Sequence, residues 1–104
     1  MHAAVALHRN AIAELCRRFG VTRLAVFGSA ARADDFRDDG SDIDLLVSFA
    51  PPQRNDLAAF LDFKEALEAE LGREVDLVEQ EALECSRNHI RRDRIRRESE
   101  ALYG

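Results

Sequence analysis

The chain has 104 residues, a length that we expect to hold one domain spanning residues 1–104. Hydrophobic residues make up 46% of it, which is enough for a buried core and excludes a disordered polypeptide. Acidic residues outnumber basic ones by 20 to 15, which excludes a nucleic-acid binder that is basic over its whole surface.

The formal net charge of −5 has a local origin. Residues 34–44 contain six aspartates and one arginine and so sum to −5, while the rest of the chain is balanced. These aspartates are Asp34, Asp35, Asp38, Asp39, Asp42 and Asp44.

Targeting and redox signals are weak. No apolar run approaches the roughly 18 residues that span a bilayer, and no basic start precedes an apolar stretch, so we expect a cytoplasmic protein. Cys16 and Cys85 are too few for a disulfide scaffold or a zinc site, so we expect two reduced thiols.

The N-terminal third predicts a helix, a strand and a polar loop. Apolar residues at helical spacing predict a helix over residues 3–19, with Gly20 as its C-cap. Residues 23–27 are short and apolar, which is typical of a buried strand. Residues 29–33 could begin a short helix, and residues 34–40 predict a loop.

The middle of the chain predicts an alternating strand followed by a helix. Residues 42–49 alternate, so that Ile43, Leu45, Val47 and Phe49 share one face while Asp42, Asp44, Leu46 and Ser48 share the other. Pro51 and Pro52 end this strand. A helix is predicted over residues 57–71, with Asn55 or Asp56 as its N-cap and Gly72 as its C-cap.

The last third predicts a strand over residues 74–78 and one solvent-exposed, arginine-rich helix over residues 82–103. The element order is then αβαβαβα, which is typical of the mixed α/β class.

A glycine and a serine follow the first strand. Gly28 lets the backbone approach a ligand closely, and Ser29 at a helix N-terminus adds a donor for phosphate. Gly-Ser is also a common connector, so this pair alone does not establish a phosphate site.

Three acids occupy strands, where aspartate is disfavoured. Asp42 and Asp44 share one face of the second strand, and a divalent cation would offset their repulsion. Mg²⁺ prefers such hard oxygen ligands. Asp76 repeats the pattern in the third strand, and each acid could instead be solvated at an exposed strand end.

Topology predicts where these residues meet. The end of the first strand approaches Asp42 and Asp44 only if the first two strands are antiparallel. A helical crossover makes the second and third strands parallel, which brings Asp76 to the same edge. Three acids beside a phosphate-type turn are typical of two-metal phosphoryl or nucleotidyl transfer.

The segment GSAARADDFRDDGSDIDLLVSF resembles the signature of the minimal nucleotidyltransferases of the DNA polymerase β superfamily. Gly28-Ser29 is followed by 12 residues and then by Asp42-x-Asp44. Ala33 replaces the glycine that usually follows Arg32 in this family. The resemblance implies a nucleotidyltransferase fold: a small mixed sheet of three or slightly more strands with helices packed on one face.

The resemblance also implies roles for individual residues. Asp42, Asp44 and Asp76 would be the catalytic residues and would ligate two Mg²⁺ ions, with Asp76 also acting as general base. ATP would be the substrate, and Gly28, Ser29 and Arg32 would bind its phosphates. Arg32 could instead contact the protein acceptor or be a solvated helix residue.

Family members of this length resemble antitoxins whose partner is a small helical HEPN ribonuclease toxin. Some transfer AMP to a tyrosine of that toxin, and we expect this activity. The alternatives are an antitoxin that neutralises its partner by binding alone, and nucleotidyl transfer to another acceptor. The C-terminal arginines could dock on the partner or form a solvated face; without interleaved aromatic residues, we do not expect them to bind nucleic acid.

Overall fold

The computed structural model describes residues 3–28 and 42–104. The helix start expected at residues 29–33 and the loop expected at residues 34–40 lie outside these ranges. The α-helices of the described ranges are Ala3–Ala6 (α1), Arg9–Phe19 (α2), Leu57–Leu71 (α3), Gln80–Glu84 (α4) and His89–Glu98 (α5), and Pro51–Gln53 forms a 3₁₀ turn. The strands are Val21–Phe27 (β1), Ile43–Phe49 (β2), Val75–Glu79 (β3) and Glu100–Tyr103 (β4).

These strands form one four-stranded mixed sheet in the order β3-β2-β1-β4. β1 and β2 are antiparallel, while β2 and β3 are parallel, which confirms both pairings expected from the sequence. β4 adds an antiparallel edge beside β1. The mixed α/β class is therefore confirmed, with one more strand than the three that the element order gave.

The main core lies between the sheet and the helices α2 and α3. Alternate residues of β2 face it, namely Ile43, Leu45, Val47 and Phe49, as their spacing predicts. Phe63 of α3 is fully buried and meets Phe49 edge-on, with ring centroids 5.9 Å apart. Burial of these apolar faces holds the two helices against one side of the sheet.

Both ends of α3 follow from local chemistry. Of the two candidate N-caps, Asp56 is the one observed: its carboxylate accepts a hydrogen bond from the Ala59 amide at 3.2 Å. Gly72 ends the helix in the left-handed conformation at φ 68°. Gly20 ends α2 in the same way, although the predicted helix over residues 3–19 is interrupted at Leu7 and His8.

The prediction of one helix over residues 82–103 is wrong. The segment instead contains most of α4, all of α5 and the strand β4. Asn88 is the N-cap of α5, where its side chain accepts a hydrogen bond from the Arg91 amide. A new helix therefore begins here, and α4 does not continue into it. The sparse apolar residues do not form one stripe: Leu102 enters the main core, Leu83 is buried on the opposite face of the sheet, and Ile90 is exposed.

The opposite face of the sheet is also covered. Leu83 of α4 and Ile95 of α5 join three sheet residues in a second buried group, which we call the small cluster: Ala25, Phe27, Leu46, Leu83 and Ile95. The expectation of helices on one face thus holds for α2 and α3 but not for α4 and α5. In the described residues, no helix is long and apolar enough to cross a membrane.

Candidate functional site

The end of β1 lies against the beginning of β2. Phe27 pairs with Asp44, and Gly28 follows Phe27 with a positive φ of 70°. A Cβ atom built on Gly28 would overlap the Oδ2 atom of Asp44. Only glycine therefore combines this backbone conformation with so close an approach to the carboxylate.

Asp44 and Asp76 are direct partners in the parallel pairing of β2 with β3. The Ile43 amide donates a 3.1 Å hydrogen bond to the Glu74 carbonyl, which fixes this register. Partners in a parallel pair project from the same face of strands about 4.8 Å apart. Asp44 is half-buried and Asp76 is exposed, so the carboxylates differ in their access to solvent.

Asp42 lies just before β2 and is exposed. It shares a groove of about 590 Å³ with Asp76, and Leu61 and Lys64 of α3 line the other side. Asp44 instead faces a second groove, which it shares with Gly28. The three acids and Gly28 thus gather at one edge of the sheet, as the antiparallel and parallel pairings predict.

The remaining residues of the predicted phosphate site, Ser29 and Arg32, lie outside the described residues. Among the described residues, no group of three or more acidic, histidine or cysteine side chains is arranged to hold a metal ion. The paired carboxylates of Asp44 and Asp76 nevertheless suit Mg²⁺, which binds through one or two carboxylates and completes its shell with water and substrate phosphates. These carboxylates suit a cation that binds together with a polyphosphate better than they suit a cation held by protein ligands alone.

Two further residues, which the sequence patterns did not indicate as site residues, line the groove beside Asp44. Arg91 and Arg94 of α5 form its far wall, and the groove has a volume of about 330 Å³. No local sequence signal identifies them, because Arg91 and Arg94 reach the groove only through the packing of Ile95, which shares their helical face. We call this space the arginine groove.

Other arginines of α5 have structural partners. Arg96 lies 3.7 Å from a carboxylate oxygen of Glu84, and Arg92 donates to the Glu84 carbonyl at 3.3 Å. These contacts join α5 to α4. The C-terminal arginines are therefore divided among different surfaces and do not form one basic face.

The sequence of this chain is similar to that of known proteins. The sequence matches the family model described as nucleotidyltransferase domain over residues 8–101. It is 44% identical over 70 residues to protein adenylyltransferase MntA of Thermococcus cleftensis, a match that covers 67% of each chain.

Solved structures share the fold. A structure described as a candidate minimal nucleotidyltransferase is 36% identical with a TM-score of 0.73, and the match covers 96% of this chain and 95% of that one. A toxin–antitoxin complex with AMP-PNP is 26% identical with a TM-score of 0.68, covering 92% and 73%. An MNT antitoxin in complex with a tri-AMPylated HEPN toxin of Shewanella oneidensis is 24% identical with a TM-score of 0.65, covering 95% and 71%, and supports the fold alone.

Proposed function

Because this chain belongs to the nucleotidyltransferase domain family, we propose that it is an antitoxin that transfers AMP from ATP to a tyrosine hydroxyl of a HEPN ribonuclease toxin. The 44% identity to a protein adenylyltransferase supports the reaction. The likeness to a toxin–antitoxin complex with AMP-PNP supports both the nucleotide and the type of partner.

One observation carries the proposal: Asp44 lies beside Gly28 on one side and is paired with Asp76 on the other. This arrangement supports a nucleotide site in which the phosphates approach the backbone at Gly28. In this proposal Ser29 and Arg32 complete the phosphate site, and Asp42, Asp44 and Asp76 ligate two Mg²⁺ ions. Bound Mg²⁺ would neutralise charge on the triphosphate and on the leaving pyrophosphate.

The proposed reaction is an in-line substitution at the α-phosphorus of ATP. The tyrosine oxygen forms the new bond to phosphorus as the bond to pyrophosphate breaks. Asp76 takes the proton that the tyrosine hydroxyl loses, and its exposure in the groove shared with Asp42 supports access by an acceptor. We propose that the acceptor hydroxyl belongs to the partner, that residues 1–104 form one catalytic domain, and that the protein acts in the cytoplasm.

Pyrophosphate release tests this reaction directly. We expect release from ATP only when Mg²⁺ and the HEPN partner are both present, because the partner supplies the acceptor oxygen. Loss of release when the acceptor tyrosine is replaced by phenylalanine would identify that hydroxyl. Complete neutralisation of the toxin without pyrophosphate release would instead favour an antitoxin that acts by binding alone.

A further inference from the structure

The arginine groove brings basic side chains of α5 to the candidate active site. Arg91 and Arg94 lie one turn apart and line the same groove as Gly28 and Asp44. Its volume of about 330 Å³ lies at the lower end of the range for small-molecule sites. The groove therefore has room for the phosphate groups of a nucleotide.

The position of α5 is fixed by apolar packing. Ile95 is buried in the small cluster together with Phe27, the residue that immediately precedes Gly28. Because Arg91, Arg94 and Ile95 share one face of the helix, burial of Ile95 turns both arginines towards the end of β1. Their location beside Gly28 thus follows from the packing of the helix.

Neither arginine joins α5 to another element of the fold through an ion pair or hydrogen bond in the described residues. In the described parts of the chain, Arg91 forms no ion pair, and Arg94 pairs with Glu98 of the same groove at 3.3 Å. Both arginines are exposed and Glu98 is half-buried, and a pair four residues apart on one helix contributes little to stability. Arg92 and Arg96 differ from them, because both hold α5 against Glu84 of α4. Arg91 and Arg94 make no such contact between helices and can therefore bind a ligand.

We propose that Arg91 and Arg94 bind the polyphosphate of the nucleotide from the wall opposite Gly28. This inference rests on the proposed nucleotide transfer and adds two phosphate-binding residues to its site. The two guanidinium groups bring positive charge to a groove that also contains the carboxylates of Asp44 and Glu98. Arginine suits this role because its planar group donates two parallel hydrogen bonds to phosphate oxygens.

Equilibrium binding of ATP and of AMP to the isolated protein tests the inference without any acceptor. Titration calorimetry with Mg²⁺ would compare the wild type with Arg91→Ala, Arg94→Ala and the double variant. We expect each substitution to weaken ATP binding about tenfold, as for loss of a charged hydrogen bond. AMP binding should change much less, because AMP lacks two of the three phosphates.

Arg97→Ala is the matched control, since Arg97 is exposed on the same helix and lines a different groove with Ile90 and Asp93. It should bind ATP as the wild type does, and circular dichroism should show that all variants are folded. The proposal is overturned if the double variant keeps ATP affinity within twofold, if Arg97→Ala loses as much, or if the wild type does not prefer ATP to AMP.

The same experiment separates this inference from the proposed function. Arginine-dependent ATP binding together with no AMP transfer to a HEPN partner would support the phosphate site and refute the acceptor. If Arg91→Ala and Arg94→Ala both transfer AMP with an unchanged KM for ATP, the result would support the reaction and refute the role of the arginines.

Discussion

Asp44 and Asp76 stand opposite each other on adjacent parallel strands, two carboxylates that project from the same face of the sheet. Like charges directly opposite each other destabilise a sheet. Repulsion between the two carboxylates should therefore lower the stability of the free protein, and a cation bound with a polyphosphate would offset that repulsion. The relationship therefore links the stability of the protein to its proposed reaction.

Asp76→Asn should stabilise the protein in the absence of divalent cations. Removing one charge of the pair should raise the unfolding midpoint by about 2–4 °C in EDTA, on the scale of a cross-strand charge pair in a small domain. The same variant should lose at least about 100-fold in AMP transfer, because it lacks the general base. Calorimetry and a pyrophosphate assay measure the two effects.

Glu65→Gln is the control for that variant, because Glu65 is an exposed acid of α3. Its midpoint and its activity should stay close to those of the wild type. A lower midpoint for Asp76→Asn in EDTA would show that the carboxylate stabilises the fold, contrary to the repulsion argument.

Gly28→Ala should disrupt the site through the position of Asp44. An alanine there must hold a positive φ, and its Cβ must also displace the Asp44 carboxylate. Gly72→Ala is a matched control, since Gly72 has a similar φ of 68° and no atom within 4 Å of the added Cβ. Left-handed backbone alone costs about 1–2 kcal/mol, so both variants should lose at least that much stability.

Only Gly28→Ala should also lose AMP transfer, and it should lose more stability than Gly72→Ala. Urea unfolding and the pyrophosphate assay make this comparison. Equal activity in the two variants would mean that the contact between Gly28 and Asp44 has no part in the reaction.

The two cysteines should react at different rates. Burial raises the pKa of the Cys16 thiol to about 12, whereas Cys85 is exposed. At pH 8 we expect Ellman's reagent to label one thiol per native chain and two per chain in urea. Labelling of two thiols in the native protein would contradict the burial of Cys16.

The same shift predicts a pH dependence of stability. The pKa of Cys16 is higher in the folded chain than in the unfolded chain. Its contribution to the free energy of unfolding is therefore complete below about pH 8.5. The contribution is lost as the pH rises towards 12, since the unfolded thiol ionises first. The free energy of unfolding should therefore fall above pH 9, and it should fall less steeply in Cys16→Ala.

Sequence patterns predicted the elements whose determinants are local. The helix over residues 57–71 was correct because an N-cap, a regular apolar spacing and a terminal glycine all agree. The alternation in β2 likewise assigned both faces of the strand. The edge that collects Asp42, Asp44 and Asp76 followed from strand directions alone.

The structure of the C-terminal region could not be predicted from local patterns, because it depends on contacts with residues that are distant in the sequence. Leu102 enters the main core only because β4 pairs with β1, and no local pattern distinguishes that strand from a helix end. Arg91 and Arg94 reach the site only because Ile95 packs in the small cluster. Both facts depend on the tertiary fold.

The mass of the HEPN partner tests the central claim most directly. The partner would be purified after co-expression with the wild type or with the Asp42→Asn/Asp44→Asn variant, which circular dichroism must show to be folded. We expect the wild type to add about 329 Da for each AMP transferred, and the variant to add nothing. A fully neutralised partner of unmodified mass with the wild type would contradict the account.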